Sequence, residues 1–130
     1  MRVVRVVAIL LLLLGATGFV AAQGKSADVP ALDGFSRGSA GGVDVQWRVD
    51  GDMLEVQMAA NTTGWVSVGF DPSRMMADAN MVIGYVENGE VIIADDYGTG
   101  ATSHDRDTNH GGTNDVTVVD GREVDGTTII

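Results

Sequence analysis

The chain has 130 residues, no cysteine and a formal net charge of −10. Without cysteine there is no disulfide framework, no thiolate metal site and no lipid-anchoring thiol. So acidic a chain disfavours nucleic acid and anionic membrane as partners, and is compatible with a cation or a cationic protein.

The N-terminus is a separate object. Arg2 and Arg5 form a basic start, and Val6 to Val20 is an apolar stretch interrupted by Gly15, Thr17 and Gly18. Val20-Ala21-Ala22 then supplies a cleavage site before Gln23. This is the pattern of a secretory signal peptide over residues 1–22. The alternative, an uncleaved membrane anchor, needs about 20 apolar residues, and this stretch is shorter. Cleavage removes 22 of the 130 residues and leaves 108, which suits one domain and is too few for two. The mature chain is expected to be exported (periplasm, cell surface or secreted) and not to span a membrane.

Residues 23–31, rich in Gly, Ser and Ala around Pro30, read as a linker, and 32–130 as the domain. A poorly formed first strand is expected near Val29–Phe35. Val43 to Val49 alternates Val43, Val45, Trp47 and Val49 with Asp44, Gln46 and Arg48, a half-buried strand turned back by Asp50-Gly51-Asp52. Met53 to Ala60 answers it, with Leu54, Val56 and Met58 on one face. After the turn Asn61–Gly64 come three β-rich runs, Trp65–Phe70, Met81–Val86 and Val91–Ala94. Asn88-Gly89 is a strong hairpin signal between the last two. Gly64 and Gly69 suggest close backbone approach or a bulge. An acidic corner, Asp95-Asp96-Tyr97, is expected after the third run, followed by a polar stretch without periodicity from Gly98 to Asp115. Val116–Val119 reads as a short strand, Asp120-Gly121 as a turn, and Thr127–Ile130 as the start of another strand. Helical character is confined to one turn around Ser73–Ala79. The fold class is all-β, an antiparallel β-sandwich.

The pattern Thr63-Gly64-Trp65-Val66-x-Val68-Gly69-Phe70, then Met76, then Met81-Val82-Ile83-Gly84-Tyr85-Val86, resembles a DOMON domain. Gly89, Val91, Asp95 and Tyr97 continue the resemblance, as do His104-x-x-Asp107, Gly111-Gly112-x-Asn114-Asp115 and Glu123-x-Asp125-Gly126-Thr127-Thr128. It covers Leu32 to Ile130. It implies an immunoglobulin-like, extracytoplasmic β-sandwich that binds a ligand and is not an enzyme. For the haem-binding members, it implies b-type haem serving electron transfer to a redox partner protein or membrane cytochrome. DOMON domains continue for several more strands, so this sandwich is expected to be incomplete at its C-terminus. The missing strands would come from a longer gene product or from a partner.

Three constellations are candidates for chemistry. Met76 falls where the haem-binding members place an axial methionine, with Met75 the alternative if the register slips by one. A thioether is a soft neutral ligand; the plainer reading makes Met75, Met76 and Met81 gap-filling core residues. The family's histidine partner lies on a later strand, and His104 and His110 match other positions. The second constellation, Asp95, Asp96, His104, Asp105 and Asp107 with His110, would suit Ca²⁺ through its carboxylates or a transition metal through its imidazoles. It reads equally as a solvated loop whose carboxylates cap turns. The third is aromatic: Trp47, Trp65 and Tyr85 could provide a sugar-stacking platform. Trp47 shares its strand face with Val45 and Val49 and belongs to the core, which leaves Trp65 as the candidate surface for carbohydrate or haem. No Gly-x-Ser-x-Gly, HExxH or phosphate loop is present, and Ser103-His104-Asp105 are neighbours in sequence only. Two functions therefore compete: haem-based electron transfer, and a haem-free module recognising carbohydrate or protein. A truncated domain without ligand is the third reading.

Overall fold

The computed structural model describes residues 27–130; the signal-peptide expectation lies outside the described residues. Two antiparallel sheets face each other. The first has the order β1-β2-β3-β9-β8, with β1 Ser36–Ala40, β2 Val43–Asp50, β3 Met53–Ala60, β8 Arg122–Val124 and β9 Thr127–Ile129. The second has the order β4-β5-β6-β7, with β4 Val66–Phe70, β5 Asn80–Glu87, β6 Glu90–Gly100 and β7 Ser103–Arg106. The expected β-sandwich is therefore present. Among the described residues no helix is long and apolar enough to cross a membrane.

The period-2 patterns decide which faces meet. Met58, Ala60 and Val66 form a buried cluster, and Val43, Val56, Val68, Val82 and Ile130 pack against it. Every other residue of β2, β3, β4 and β5 thus points between the sheets, as alternation requires. The expected hairpin at Asn88-Gly89 forms with both residues at positive φ (52° and 80°). This is the geometry that matches the right-handed twist of the flanking strands.

Several expectations are corrected. The first strand is Ser36–Ala40, not Val29–Phe35. Its sequence, SRGSA, carries no apolar alternation because it is an edge whose order comes from ladder bonds to β2. Residues 27–31, read as linker from their composition, pack on the outer side of β2, β3 and β9. There Ala27, Val29, Ala59 and Ile129 make a second small core. Gln46 is buried beneath them: its amide oxygen accepts from Leu32 N (2.9 Å), and its amide nitrogen donates to Pro30 O (3.0 Å) and Gln57 (2.9 Å).

The acidic corner is not a corner, because Asp95, Asp96 and Tyr97 lie within the eleven-residue β6. The polar stretch after it contains β7 and a 3-10 turn at Asp107–His110. Val116–Val119 joins no ladder. Instead the segment from Asp115 to Gly121 lies across the inner side of β6, since Asp115 N donates to Asp95 and Gly121 abuts Val91. The hairpin turn there is Asp125-Gly126 rather than Asp120-Gly121. No helical turn forms at Ser73–Ala79; an isolated bridge between Arg74 and Ala77 takes its place.

Candidate functional site on the outer face of the second sheet

The loop between β4 and β5 is tightly constrained. Three of its residues, Asp71, Met75 and Asp78, have positive φ (53°, 54° and 64°). Aspartate tolerates this region; methionine does so at a cost. The surrounding bonds enforce the conformation. Ser73 N donates to Ala77 O (2.9 Å) and Ala77 N to Arg74 O (3.0 Å). The Asp78 carboxylate accepts from Ser73 Oγ and from the Tyr97 hydroxyl, the latter at 2.9 Å. These two bonds hold its pKa below the ordinary value, that from Ser73 contributing most.

The loop is also bolted to the β6–β7 hairpin. Asp78 N donates to Gly98 O (2.8 Å), Gly98 N to Ala79 O (2.9 Å) and Met76 N to Ala101 O (3.3 Å). Gly98 is the close approach that the sequence reading placed at Gly64 and Gly69: a Cβ there would lie 1.6 Å from the Met76 carbonyl oxygen. The two candidate methionines are thereby distinguished. Met76 is half-buried on the hairpin, whereas Met75 is 64% exposed. Met81, the third, is buried on β5.

Alternation in β6 sends the two adjacent aspartates to opposite faces. Asp95 shares the inner face with Val91 and Ile93; Asp96 shares the outer face with Ile92, Ala94 and Gly98. Asp96 is 6% exposed and lies opposite Arg106, while His104 lies opposite Gly98. His104 Nδ1 is 2.7 Å from Asp96 Oδ2. A carboxylate only accepts, so Nδ1 carries the proton and Nε2 is left for another partner. Arg106 Nη1 stands 3.8 Å from Asp96 Oδ1, close enough for charge attraction but too far for a hydrogen bond.

The chain shows these features within one family. A DOMON domain model matches residues 39–130. The chain belongs to the DOMON family. Comparison with curated proteins and with solved structures gave no match. DOMON domains are ligand-binding modules, so the question becomes which surface of this one could take a ligand.

Of the residues expected to hold a metal, Asp96 and His104 meet, and Asp95, Asp105 and Asp107 are engaged elsewhere. On the inner face, Asp95 Oδ2 accepts from Asp115 N (2.9 Å) and its Oδ1 is buried without a hydrogen bond. Desolvation raises the Asp95 pKa, and the charges of Asp107, Asp115 and Asp96 add to this against the Asp115 bond. Asp105 is saturated locally, by Arg106 N (2.8 Å), both oxygens on Asn109 and His110 Nε2 (3.3 Å). Its pKa is lowered, first by the Arg106 amide. Asp107 is tucked against Gly112. Among the described residues no three His, Asp or Glu side chains are placed to hold a metal ion.

Trp65 is 67% exposed and stands over an open cleft of about 630 Å³ with Gly41, Val43, Asn61 and Thr62. It precedes β4, whereas the methionine loop follows it, so about 17 Å of strand separates them at ~3.4 Å per residue. The DOMON fold thus places Met76 and Trp65 at opposite ends of one strand, and they do not form a single site.

Of the residues expected to hold a b-type haem, Met76 is the one whose chemistry and setting would suit a ligand. Met76 offers a neutral, half-buried thioether on a backbone pinned to Gly98 and Ala101. The same outer sheet face carries the half-buried Ile83, Tyr85, Ile92 and Ala94, of which Ala94 and Ile92 lie about 14 and 20 Å along β6 from Gly98 at ~3.4 Å per residue. The sequence reading missed Gly98 and Arg106; the one signal available was the alternation of Ile92, Ala94, Asp96 and Gly98.

Proposed function

We propose that this DOMON domain is an exported b-type haem protein serving electron transfer, in which Met76 would be a ligand to the iron. The observation that carries the reading is the setting of Met76, whose backbone is fixed by hydrogen bonds in a strained loop. Backbone strain persists only where the surroundings over-determine it, and it concentrates at ligand sites. The loop's hydrogen bonds hold the Met76 backbone, from which a half-buried thioether would reach the iron. When bound, such a haem supplies a one-electron couple, whose potential a thioether ligand raises. A redox partner protein or a membrane cytochrome would exchange the electron outside the cytoplasm.

The test is an absorption titration of the mature protein with haem. A sharp Soret band, shifted in Met76→Ala and unchanged in Met75→Ala, is the expected result. Equal effects of the two substitutions would overturn the assignment of Met76, and a featureless spectrum from folded protein would overturn the haem reading. A second reading, a haem-free module for carbohydrate, draws on the 67% exposure of Trp65 over its cleft. Quenching of Trp65 fluorescence by soluble oligosaccharides, lost in Trp65→Ala, would favour it.

A further inference from the structure

We propose that Asn61 carries an N-linked oligosaccharide whose first sugars lie over the indole of Trp65. The inference rests on the export of the chain and is independent of the haem reading. Asn61-Thr62-Thr63 is an Asn-x-Thr acceptor sequence with no proline at its middle position. Such acceptors are modified on exported chains, and residues 1–22 have the pattern that sends a chain there.

The fold presents the acceptor at its surface. Asn61–Thr63 lies in the turn between β3 and β4, and the side chains of Asn61 and Thr63 are exposed. The turn is held from beneath. The buried Thr128 hydroxyl is shared between Thr62 O (2.9 Å) and Gly64 O (3.1 Å), and Gly64 N donates to Thr62 Oγ1 (3.0 Å). Thr127 Oγ1 donates to Asn61 Oδ1 (3.1 Å). An N-linked sugar leaves Oδ1 an amide acceptor, so that bond survives the modification.

The step is a group transfer from an oligosaccharide carried on a lipid phosphate or diphosphate. Asn61 Nδ2 bonds to the anomeric carbon and loses one proton. The bond from that carbon to the phosphate oxygen breaks with its electron pair, which leaves on the lipid phosphate. Thr63 supplies the hydroxyl that the acceptor sequence requires at its third position.

Trp65 gives the sugars a seat. It is the one exposed tryptophan, tyrosine or phenylalanine among the described residues. Asn61 and Trp65 line the same open cleft of about 630 Å³, within the roughly 300–1,000 Å³ of small-ligand sites. Gly41 and Gly42, both at positive φ, line it too and put no side chain into it. A pyranose has an apolar face of C–H groups that an indole plate covers while the hydroxyls stay in water. A sugar tethered at Asn61 meets that plate at high effective concentration, ahead of any free carbohydrate.

The experiment takes the protein from its own cells and their medium, and reads the masses of the tryptic peptide Val49–Arg74 and of the N-terminal peptide. A sugar increment on Val49–Arg74 is expected, lost in Asn61→Gln and in Thr63→Ala and regained in Thr63→Ser. Acrylamide should quench tryptophan fluorescence less in the wild type than in Asn61→Gln, and the difference should vanish when both also carry Trp65→Ala. An unmodified peptide from a chain beginning at Gln23 would overturn the inference and leave export standing. An unmodified peptide from a chain still beginning at Met1 would overturn both. An increment that persists in Thr63→Ala would overturn the assignment to this acceptor, and equal quenching of wild type and Asn61→Gln would overturn the seat on Trp65. If the variants failed to fold, the wild-type peptide mass would decide alone.

Discussion

Replacing Gly98 with alanine tests whether the methionine loop is locked to the β6–β7 hairpin. The new methyl would lie 1.6 Å from the Met76 carbonyl oxygen and 2.7 Å from its carbon, where ordinary contact begins at 3.4 Å. Both atoms are backbone, so no rotamer change relieves the clash, and the loop must lift by about 2 Å. Three backbone bonds join the two segments there: Asp78 N to Gly98 O, Gly98 N to Ala79 O and Met76 N to Ala101 O. Losing two or three of them at about 1 kcal/mol each predicts a destabilisation of about 2–3 kcal/mol. For a domain of this size that is a fall in Tm of roughly 10–20 °C. The control is Gly69→Ala on the same face. Its Cβ would meet Ala79 Cβ at 3.5 Å and Met81 Cγ at 3.7 Å, which is ordinary contact. Removing a glycine from a strand interior there should be neutral, or stabilising by about 0.5 kcal/mol. Urea unfolding monitored by tryptophan fluorescence measures both. If Gly98→Ala unfolds within 0.5 kcal/mol of wild type, roughly the spread of ordinary surface changes, the loop is not locked and the pre-organisation of Met76 fails with it.

Two further substitutions probe the buried polar groups. Asp95→Asn should stabilise the domain by about 1 kcal/mol at pH 7, because it removes a buried charge and keeps an acceptor for Asp115 N. The Asp95 pKa is raised in the fold, so its ionised form is the destabilising one. The wild-type deficit is therefore present above the folded pKa and disappears as pH falls toward the ordinary value of 3.8. Melting curves of the two proteins should converge on acidification, and a constant gap would refute the assignment. Thr128 is fully buried, and its hydroxyl is shared between Thr62 O (2.9 Å) and Gly64 O (3.1 Å). Thr128→Val keeps the shape and strips both carbonyls of their donor, with an expected cost of about 1–2 kcal/mol in urea unfolding. A neutral result would mean that the β3–β4 turn is not held by that side chain.

The sequence by itself determined the two-sheet architecture, because period-2 alternation in Val43–Val49, Met53–Ala60, Trp65–Phe70 and Met81–Val86 leaves no other way to bury one face of each strand. It determined the Asn88-Gly89 hairpin, where backbone chirality selects those residues. Through the positions around Gly64-Trp65 and Met76, it also determined the family. Tertiary structure decided what became of the polar residues. Gln46, Asp95 and Asp96 look like solvent-facing or corner residues in sequence, yet each is buried. Their hydrogen-bonding partners sit 16, 20 and 8 positions away, at Pro30, Asp115 and His104. Local pattern registers polarity but not the partner that compensates it, and a buried polar group is tolerable only once that partner is in place. The same holds for backbone. Gly64 and Gly69 carry the visible glycine signal, but the close approach occurs at Gly98, because only the folded chain brings Met76 across β6.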